Sequence, residues 1–272
     1  MSGQVGYDYR DRKWNFRGSF IAIGERFNDE MGFVPRVGIN KTQLFAGRLI
    51  RPKATESWLR EINAHWQINN VERRDGLGLD SRYFDYHGAF SFQNGGGGEV
   101  GANVSTEGLF APFRINRRTG ITIAPGLYDF TEWFVRLNTN AAAPLSFGGR
   151  YANGGFFDGD RQVYELNGTV RPSSRMAATV SVARNVIHLS GGDFNTNLVT
   201  TRVNYDFSTK MFVNALIQYN TDAQQWSSNI RFNIIHRPLS DFFLVYNDHR
   251  DSKTGDLQDR ALIAKMTYML AF

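Results

Sequence analysis

Ala264-Lys265-Met266-Thr267-Tyr268-Met269-Leu270-Ala271-Phe272 closes the chain, and its pattern decides how the rest is read. Ala264, Met266, Tyr268, Leu270 and Phe272 alternate with Lys265, Thr267, Met269 and Ala271. Successive side chains of a strand point to opposite faces, so an apolar set at period two is a strand with one face in an apolar medium. An edge strand of a soluble β-domain has the same pattern, as does a strand with one face in lipid. The tail alone does not separate the two.

Composition narrows the choice. The chain has 272 residues and no cysteine, which excludes a disulfide framework and a Cys-ligated metal site. Aromatic residues make up 14%, with 22 Phe, yet mean hydropathy is −0.38. Apolar groups are therefore sorted along the chain rather than pooled. No purely apolar run in the strand-like regions is longer than the five residues of Phe242 to Tyr246. A membrane-spanning helix needs about 20 apolar residues, whereas a membrane barrel needs only alternate ones. Net charge is +5 and rests on arginine, since only Lys13, Lys41, Lys53, Lys210, Lys253 and Lys265 are lysines. Arginine pairs bidentately with phosphate and carboxylate, which suits a surface against lipopolysaccharide phosphates. No basic block or nucleic-acid motif is present, so no nucleic-acid partner is expected.

Period-two reading gives fifteen strands, near residues 4–10, 13–23, 37–51, 57–70, 82–93, 98–109, 126–139, 145–156, 161–171, 176–187, 197–207, 211–220, 225–237, 240–248 and 259–272. No segment has a helical period. Many of these strands reach the about 9–11 residues that a tilted transmembrane strand needs, while globular strands peak near 5–6. Trp14, Trp58, Trp133, Tyr164, Tyr205, Tyr219, Trp226, Tyr246, Tyr268 and Phe272 are candidates for interfacial aromatic girdles. Counting back from Phe272, short connections (Arg237 to Ser240, Ser208 to Lys210, Arg171 to Arg175) alternate with longer ones. The longer ones run from His249 to Gln258, Thr221 to Gln225, Leu189 to Asn197, Asn116 to Gly126 and Gly24 to Arg36. Outer-membrane barrels pair short periplasmic turns with long outer loops.

Taken together, these features predict an all-β chain: a transmembrane antiparallel β-barrel of the bacterial outer membrane, with about 14–16 strands visible and residues 1–272 as one barrel domain. A Phe272 end of this kind resembles the closing strand that barrel-insertion machinery reads, which puts the C-terminus in the periplasm. Single-chain barrels usually have even strand numbers. Fifteen strands would start the first one on the wrong side, and Met1-Ser2-Gly3 leads into Val5 without a secretion signal. The expectation is therefore a chain lacking its natural N-terminal part.

Five stretches carry a family likeness. They are Phe27 to Arg36, Ile123 to Tyr128, Gly155 to Gly159, Ile217 to Asn220, and Pro238 to Asn247. In this order they resemble the C-terminal region of the bacterial family called domain of unknown function 5916. That resemblance implies a layout of signal peptide, a sandwich like carbohydrate-binding module family 9, and a large outer-membrane barrel, of which this chain is most of the barrel. It implies no activity and no functional residues.

Chemistry is sparse. His65 and His87 fall on the polar faces of neighbouring strands, with Glu61 and Asp85 near them. Such a cross-strand cluster either binds a metal or is polar packing inside a lumen; no HExxH spacing is present. Polar packing is the reading carried forward, so no metal or other cofactor is expected. Glu132, Arg136, Glu165, Arg171, Arg202, Asp206 and Arg231 join them as lumen-lining candidates, because arginine and carboxylate ladders brace barrel walls and set the field for solutes. Gly95 to Gly98 is not followed by a helix and is no phosphate loop. Asp158-Gly159-Asp160 and Asp248 to Asp251 are either weak Ca²⁺ clusters or solvated turns. No GxSxG or Ser/His/Asp set appears, so an enzyme is not expected. The leading expectation is a passive pore with a charged lumen. Its rival is an anchoring subunit of a larger envelope assembly with protein partners, and a barrel hydrolase stands third.

Overall fold

A computed structural model describes residues 1–28, 34–53, 58–116 and 118–269. The strands are β1 (Ser2–Arg10), β2 (Trp14–Ile23), β3 (Ile39–Ile50), β4 (Leu59–Arg73), β5 (Leu79–Phe92), β6 (Gly97–Leu109), β7 (Phe113–Arg114), β8 (Thr122–Ile123) and β9 (Gly126–Asn138). They continue as β10 (Leu145–Phe156), β11 (Gly159–Ser173), β12 (Met176–Leu189), β13 (Gly192–Ser208), β14 (Met211–Asn220), β15 (Gln225–Arg237), β16 (Ser240–Asp251) and β17 (Leu257–Thr267). Fifteen of them form one sheet in sequence order, while β7 and β8 form a separate two-stranded ladder. The described residues contain no helix long and apolar enough to cross a membrane. The chain is all-β, and the fifteen sheet strands match the number read from period two.

The chain divides into two compact units. One comprises Met1–Leu137, Tyr151–Gln162 and Ile187–Asp193; the other comprises Asn138–Arg150, Val163–Val186 and Phe194–Phe272.

In the first unit the register sorts side chains into rows. Tyr7, Gly18, Leu44, Ile68, Phe84 and Val104 stand side by side across β1 to β6, followed by Tyr9, Phe16, Ala46, Trp66, Tyr86 and Ala102. One residue along, on the opposite face, Asp8, Arg17, Phe45, Gln67, Asp85 and Asn103 make a row, and Arg10, Asn15, Gly47, His65, His87 and Gly101 the next. A soluble sheet turns its apolar face inward. Across β4 and β5 the order is reversed. Trp66 is 41% and Tyr86 52% exposed, while the His87 and Asp85 side chains are 12% and 15% exposed.

The second unit repeats the sorting. Val203, Ala215, Ile230, Tyr246 and Leu262 form one row across β13 to β17, and Tyr205, Val213, Phe232, Leu244 and Ala264 the next. The alternate face is less clean, because Val245 and Ile263 share a row with Asn204, Asn214 and Arg231.

Buried apolar residues are few. A small core in the first unit forms where residues 110–125 fold up: Ile123 is 1% exposed, and Ile121 is buried with it. Asn116 shapes this segment by accepting hydrogen bonds from the Arg118 and Thr119 amides through Oδ1, at 2.9 and 3.0 Å. Such an Asx turn competes with extended backbone and folds the chain back. Asn116 to Gly126 was expected to be a plain loop; it instead contains β8 of a hairpin.

The connections also depart from expectation. The stretch from Leu189 to Asn197 is not a long loop, since β12 reaches Leu189 and β13 starts at Gly192. Residues 157–158 are likewise a tight turn at the same end of the first unit as the two longest connections, 24–38 and 110–125. The segregation of loop lengths by end is therefore partial. In the second unit 209–210 and 238–239 are tight and 221–224 and 252–256 are longer, but 139–144, at the end of the tight turns, has six residues. Pro238 fixes φ for the first position of its turn, and Leu239 takes φ 61° at the next. Phe272, the end of the opening motif, lies outside the described residues, as do Asp29 to Phe33 of the first family stretch.

Candidate functional site

The densest chemistry lies on the polar face of the first unit, where β4, β5, β6 and β9 meet. His65 and His87 are directly opposed across β4 and β5, and their rings stand 5.2 Å apart at 70°. Space for them comes from two glycines in the same row. A Cβ on Gly101 would overlap the His87 ring, and one on Gly47 would meet the Phe45 ring at 3.0 Å and the His65 Cβ at 3.4 Å. Aromatic rings close the sides: Phe45 stacks on His65 at 5.5 Å and Phe134 meets His87 edge-on at 4.7 Å. The Arg17 guanidinium covers the Phe45 ring, 4.4 Å from its centroid.

His87 sits between carboxylates. Nδ1 is 2.9 Å from Glu99 Oε1, and Nε2 is 2.8 Å from Asp85 Oδ1. The hydrogen bond of Nε2 goes to Asn103 Oδ1 at 3.1 Å. Asp85 Oδ1 is left buried with no hydrogen-bond partner among the described residues, and so is His65 Nδ1. Glu99 is braced on its outer side by Arg136 Nη1 at 3.6 Å. One donor atom from each of His65, His87 and Glu99 lies within 4.8 Å of the others.

Of the residues expected on this face, His65, Asp85, His87 and Arg136 are thus brought together. Glu61 is not. It takes the Arg51 guanidinium at 2.7 Å. Glu99, Asn103 and Phe134 complete the cluster and were missed. Glu99 fell within the expected strand 98–109 but was not singled out; it lies in β6, opposite Ala89. Hairpin register was the signal that could have placed it.

The remaining candidates are dispersed. Glu132, 6% exposed, is paired with Arg161 at 2.6 Å in the first unit. In the second unit Glu165 approaches Arg150 at 3.8 Å, and Arg171 donates to the Ala143 carbonyl at 3.2 Å. Arg231 donates to Asn233 at 2.7 Å and lies over Phe243. Arg202 and Asp206 are exposed, with no ion pair among the described residues. The acidic run from Asp248 is not an ion site. Asp248 lies in β16 and is occupied by Arg250 at 2.7 Å and Arg260 at 2.8 Å. Asp158 accepts the Ser190 hydroxyl.

Among the aromatics, Trp14 begins β2 under the Arg48 guanidinium, Trp58 precedes β4 and touches Phe92, and Tyr219 and Trp226 face each other at the end of β14 and start of β15. Tyr205 lies near the end of β13 beside Phe207, and Tyr268 follows β17 under Arg237. Trp133, Tyr164 and Tyr246 stand inside their strands instead of at the ends, because β9, β11 and β16 run well past them on both sides.

Compared with known proteins, the chain matches no family model, no curated protein and no solved structure. Fold and site define an all-β chain built on a fifteen-stranded antiparallel sheet, with exposed apolar rows and a sheltered His–carboxylate cluster.

Proposed function

We propose that this chain is an integral β-barrel of a bacterial outer membrane that conducts small solutes passively through a charged lumen. The observation that carries the reading is the inversion across β4 and β5: Trp66 and Tyr86 are exposed, while His65, His87 and Asp85 on the other face are sheltered. In water each large apolar side chain left uncovered forgoes about 1.5–3 kcal/mol of burial. Lipid against the Trp66 and Tyr86 face removes that deficit, while the polar face keeps the water its charges need. Strand length agrees. Twelve residues, as in β3, rise about 40 Å at about 3.3 Å each, and a tilt of about 40° leaves about 30 Å, enough for an apolar band about 25 Å tall. A closed barrel of this size is wide enough for an aqueous lumen. The likeness to the domain of unknown function 5916 family points to the same envelope location and adds no activity. In this reading the outer surface meets lipid and lipopolysaccharide, and the terminal strand addresses the insertion machinery.

Two measurements test it. Folded into detergent micelles, the chain is expected to migrate differently on gels before and after boiling, and to give stepwise conductance in planar bilayers. A folded but silent barrel that co-purifies with stoichiometric envelope proteins moves the reading to an anchoring subunit. A monomer soluble without detergent contradicts the barrel itself.

A further inference from the structure

We propose that His65, His87 and Glu99 form a binding site for one divalent transition-metal cation of the zinc class, with Asp85 and Asn103 orienting His87. The site lies within four neighbouring strands, so it stands whether or not the sheet spans a membrane.

An imidazolium held between two carboxylates is the simpler account of His87, and it leaves one fact over. It gives no partner to His65 Nδ1, a buried polar atom of the same cluster. Buried polar groups of native proteins are nearly always satisfied, and exceptions of this kind call for an explanation such as an absent ion. A cation supplies it. Neutral imidazole and carboxylate are donors that zinc accepts, at about 2.0–2.2 Å each. Around a tetrahedral ion of that size the donors stand about 3.3 Å apart. His87 Nδ1 and Glu99 Oε1 are already 2.9 Å apart. His65 must close the remaining distance, and its donor is within 4.8 Å of the others. Among the described residues, no hydrogen bond holds the His65 imidazole at Nδ1.

The outer partners are also in place. A metal-bound imidazole commonly donates its second N–H to a carboxylate or carbonyl, which fixes the tautomer and raises ligand basicity. With Nδ1 on the cation, His87 Nε2–H points to the side where Asn103 Oδ1 and Asp85 Oδ1 stand, at 3.1 and 2.8 Å. Arg136 steadies the other Glu99 oxygen at 3.6 Å. Three protein donors leave one position open for water. Such an open position also suits an anionic solute. Gly47 and Gly101 keep the row free for both rings.

The test uses the tag-free chain, stripped with chelator and folded in whichever medium keeps it monodisperse. It is titrated with Co²⁺, followed by visible absorption, and then with Zn²⁺ in competition. One equivalent is expected to saturate. His65→Gln, His87→Gln and Glu99→Gln are each expected to weaken binding at least a hundredfold, and Asp85→Asn about ten- to a hundredfold. His188→Gln and His249→Gln, which remove histidines paired with a single aspartate each, are expected to change nothing. Should a variant fail to fold, X-ray absorption at the zinc edge of the unaltered chain decides, with two imidazoles and a carboxylate oxygen expected. No saturable binding, binding that survives the combined His65→Gln and His87→Gln changes, or an all-oxygen shell overturns the proposal.

Discussion

Trp66 and Tyr86 are paired across β4 and β5 on the exposed face, one residue away from the paired His65 and His87 on the sheltered face. This relationship turns the membrane reading into a mutational contrast. Trp66→Arg puts a charge among lipid-facing rows and is expected to destabilise the chain folded in lipid vesicles by about 2–4 kcal/mol. Gln67→Arg, one residue along on the polar face, is expected to cost less than about 1 kcal/mol. Urea titration of both variants in vesicles checks the difference; equal costs would contradict the assignment of faces.

Gly101 is fixed by the ring beside it. Gly101→Ala places a methyl group where the His87 imidazole lies. Overpacking of this kind costs about 1–3 kcal/mol. Thermal unfolding is expected to shift down accordingly, and the His87 ring resonances to move. Gly76→Ala, at a turn with open space around it but φ of 84°, is expected to lose stability by about 1 kcal/mol through backbone strain alone, with the His87 signals unchanged.

The folded segment at 110–125 gives a third test. Ile123 is the largest fully buried side chain of the described residues. Ile123→Ala is expected to destabilise the first unit by about 2–4 kcal/mol through lost burial and the cavity left behind. Hydrogen exchange at the Ile115 and Asn116 amides, which donate to the Ile121 carbonyl at 3.0 and 3.4 Å, is expected to accelerate. A freely solvated loop would show neither effect.

Two exposed turns set a pH dependence. The Lys13 and Trp14 amides and then the Tyr9 hydroxyl hold the Asp11 carboxyl below its ordinary value of 3.8. Asp75 is held down first by Arg73, against the opposing effect of desolvation, with help from the Leu77 amide. A carboxylate whose folded pKa is depressed adds stability that is fully present above its unfolded pKa and fades as pH falls through the folded one. Exchange protection of the Lys13, Trp14 and Leu77 amides is therefore expected to stay constant from neutral pH down to about 4 and to drop below it. Asp11→Ala is expected to remove the acid step at Lys13 and Trp14 while leaving that at Leu77.

Much of this sheet was legible because one rule governs it. Side chains such as Val203 and Tyr205, or Ile230 and Phe232, recur at period two, and that period fixes strand and face together. Strand ends were less legible where polar or small residues continue the ladder. Gly192 to Thr196 reads as loop chemistry, yet β13 begins at Gly192, and the ladder is held by backbone groups that composition does not reveal. The hairpin of β7 and β8 was hidden for a similar reason: Asn116 acts through its own backbone neighbours, not through a periodic pattern. The His65 and His87 pair was visible as two histidines on neighbouring polar faces. Glu99 was not, because its place depends on hairpin register, and Phe134 depends on a strand distant in sequence. Tyr164 and Tyr246 were assigned to girdles as lying near the ends of strands 161–171 and 240–248, but β11 and β16 run further and leave both inside; Trp133 was already central in the expected strand 126–139.

The absence of cysteine makes the most direct test of the membrane claim simple to perform. A nitroxide label placed singly at residues 62 to 68 of β4, in lipid vesicles, reports collision with oxygen dissolved in lipid and with a water-soluble nickel chelate. Labels replacing Ile62, Ala64, Trp66 and Ile68 are predicted to favour oxygen, and those replacing Asn63, His65 and Gln67 to favour the chelate or to be shielded from both. Loss of this period-two alternation, or chelate access on the Trp66 face, would contradict a sheet whose apolar rows face lipid.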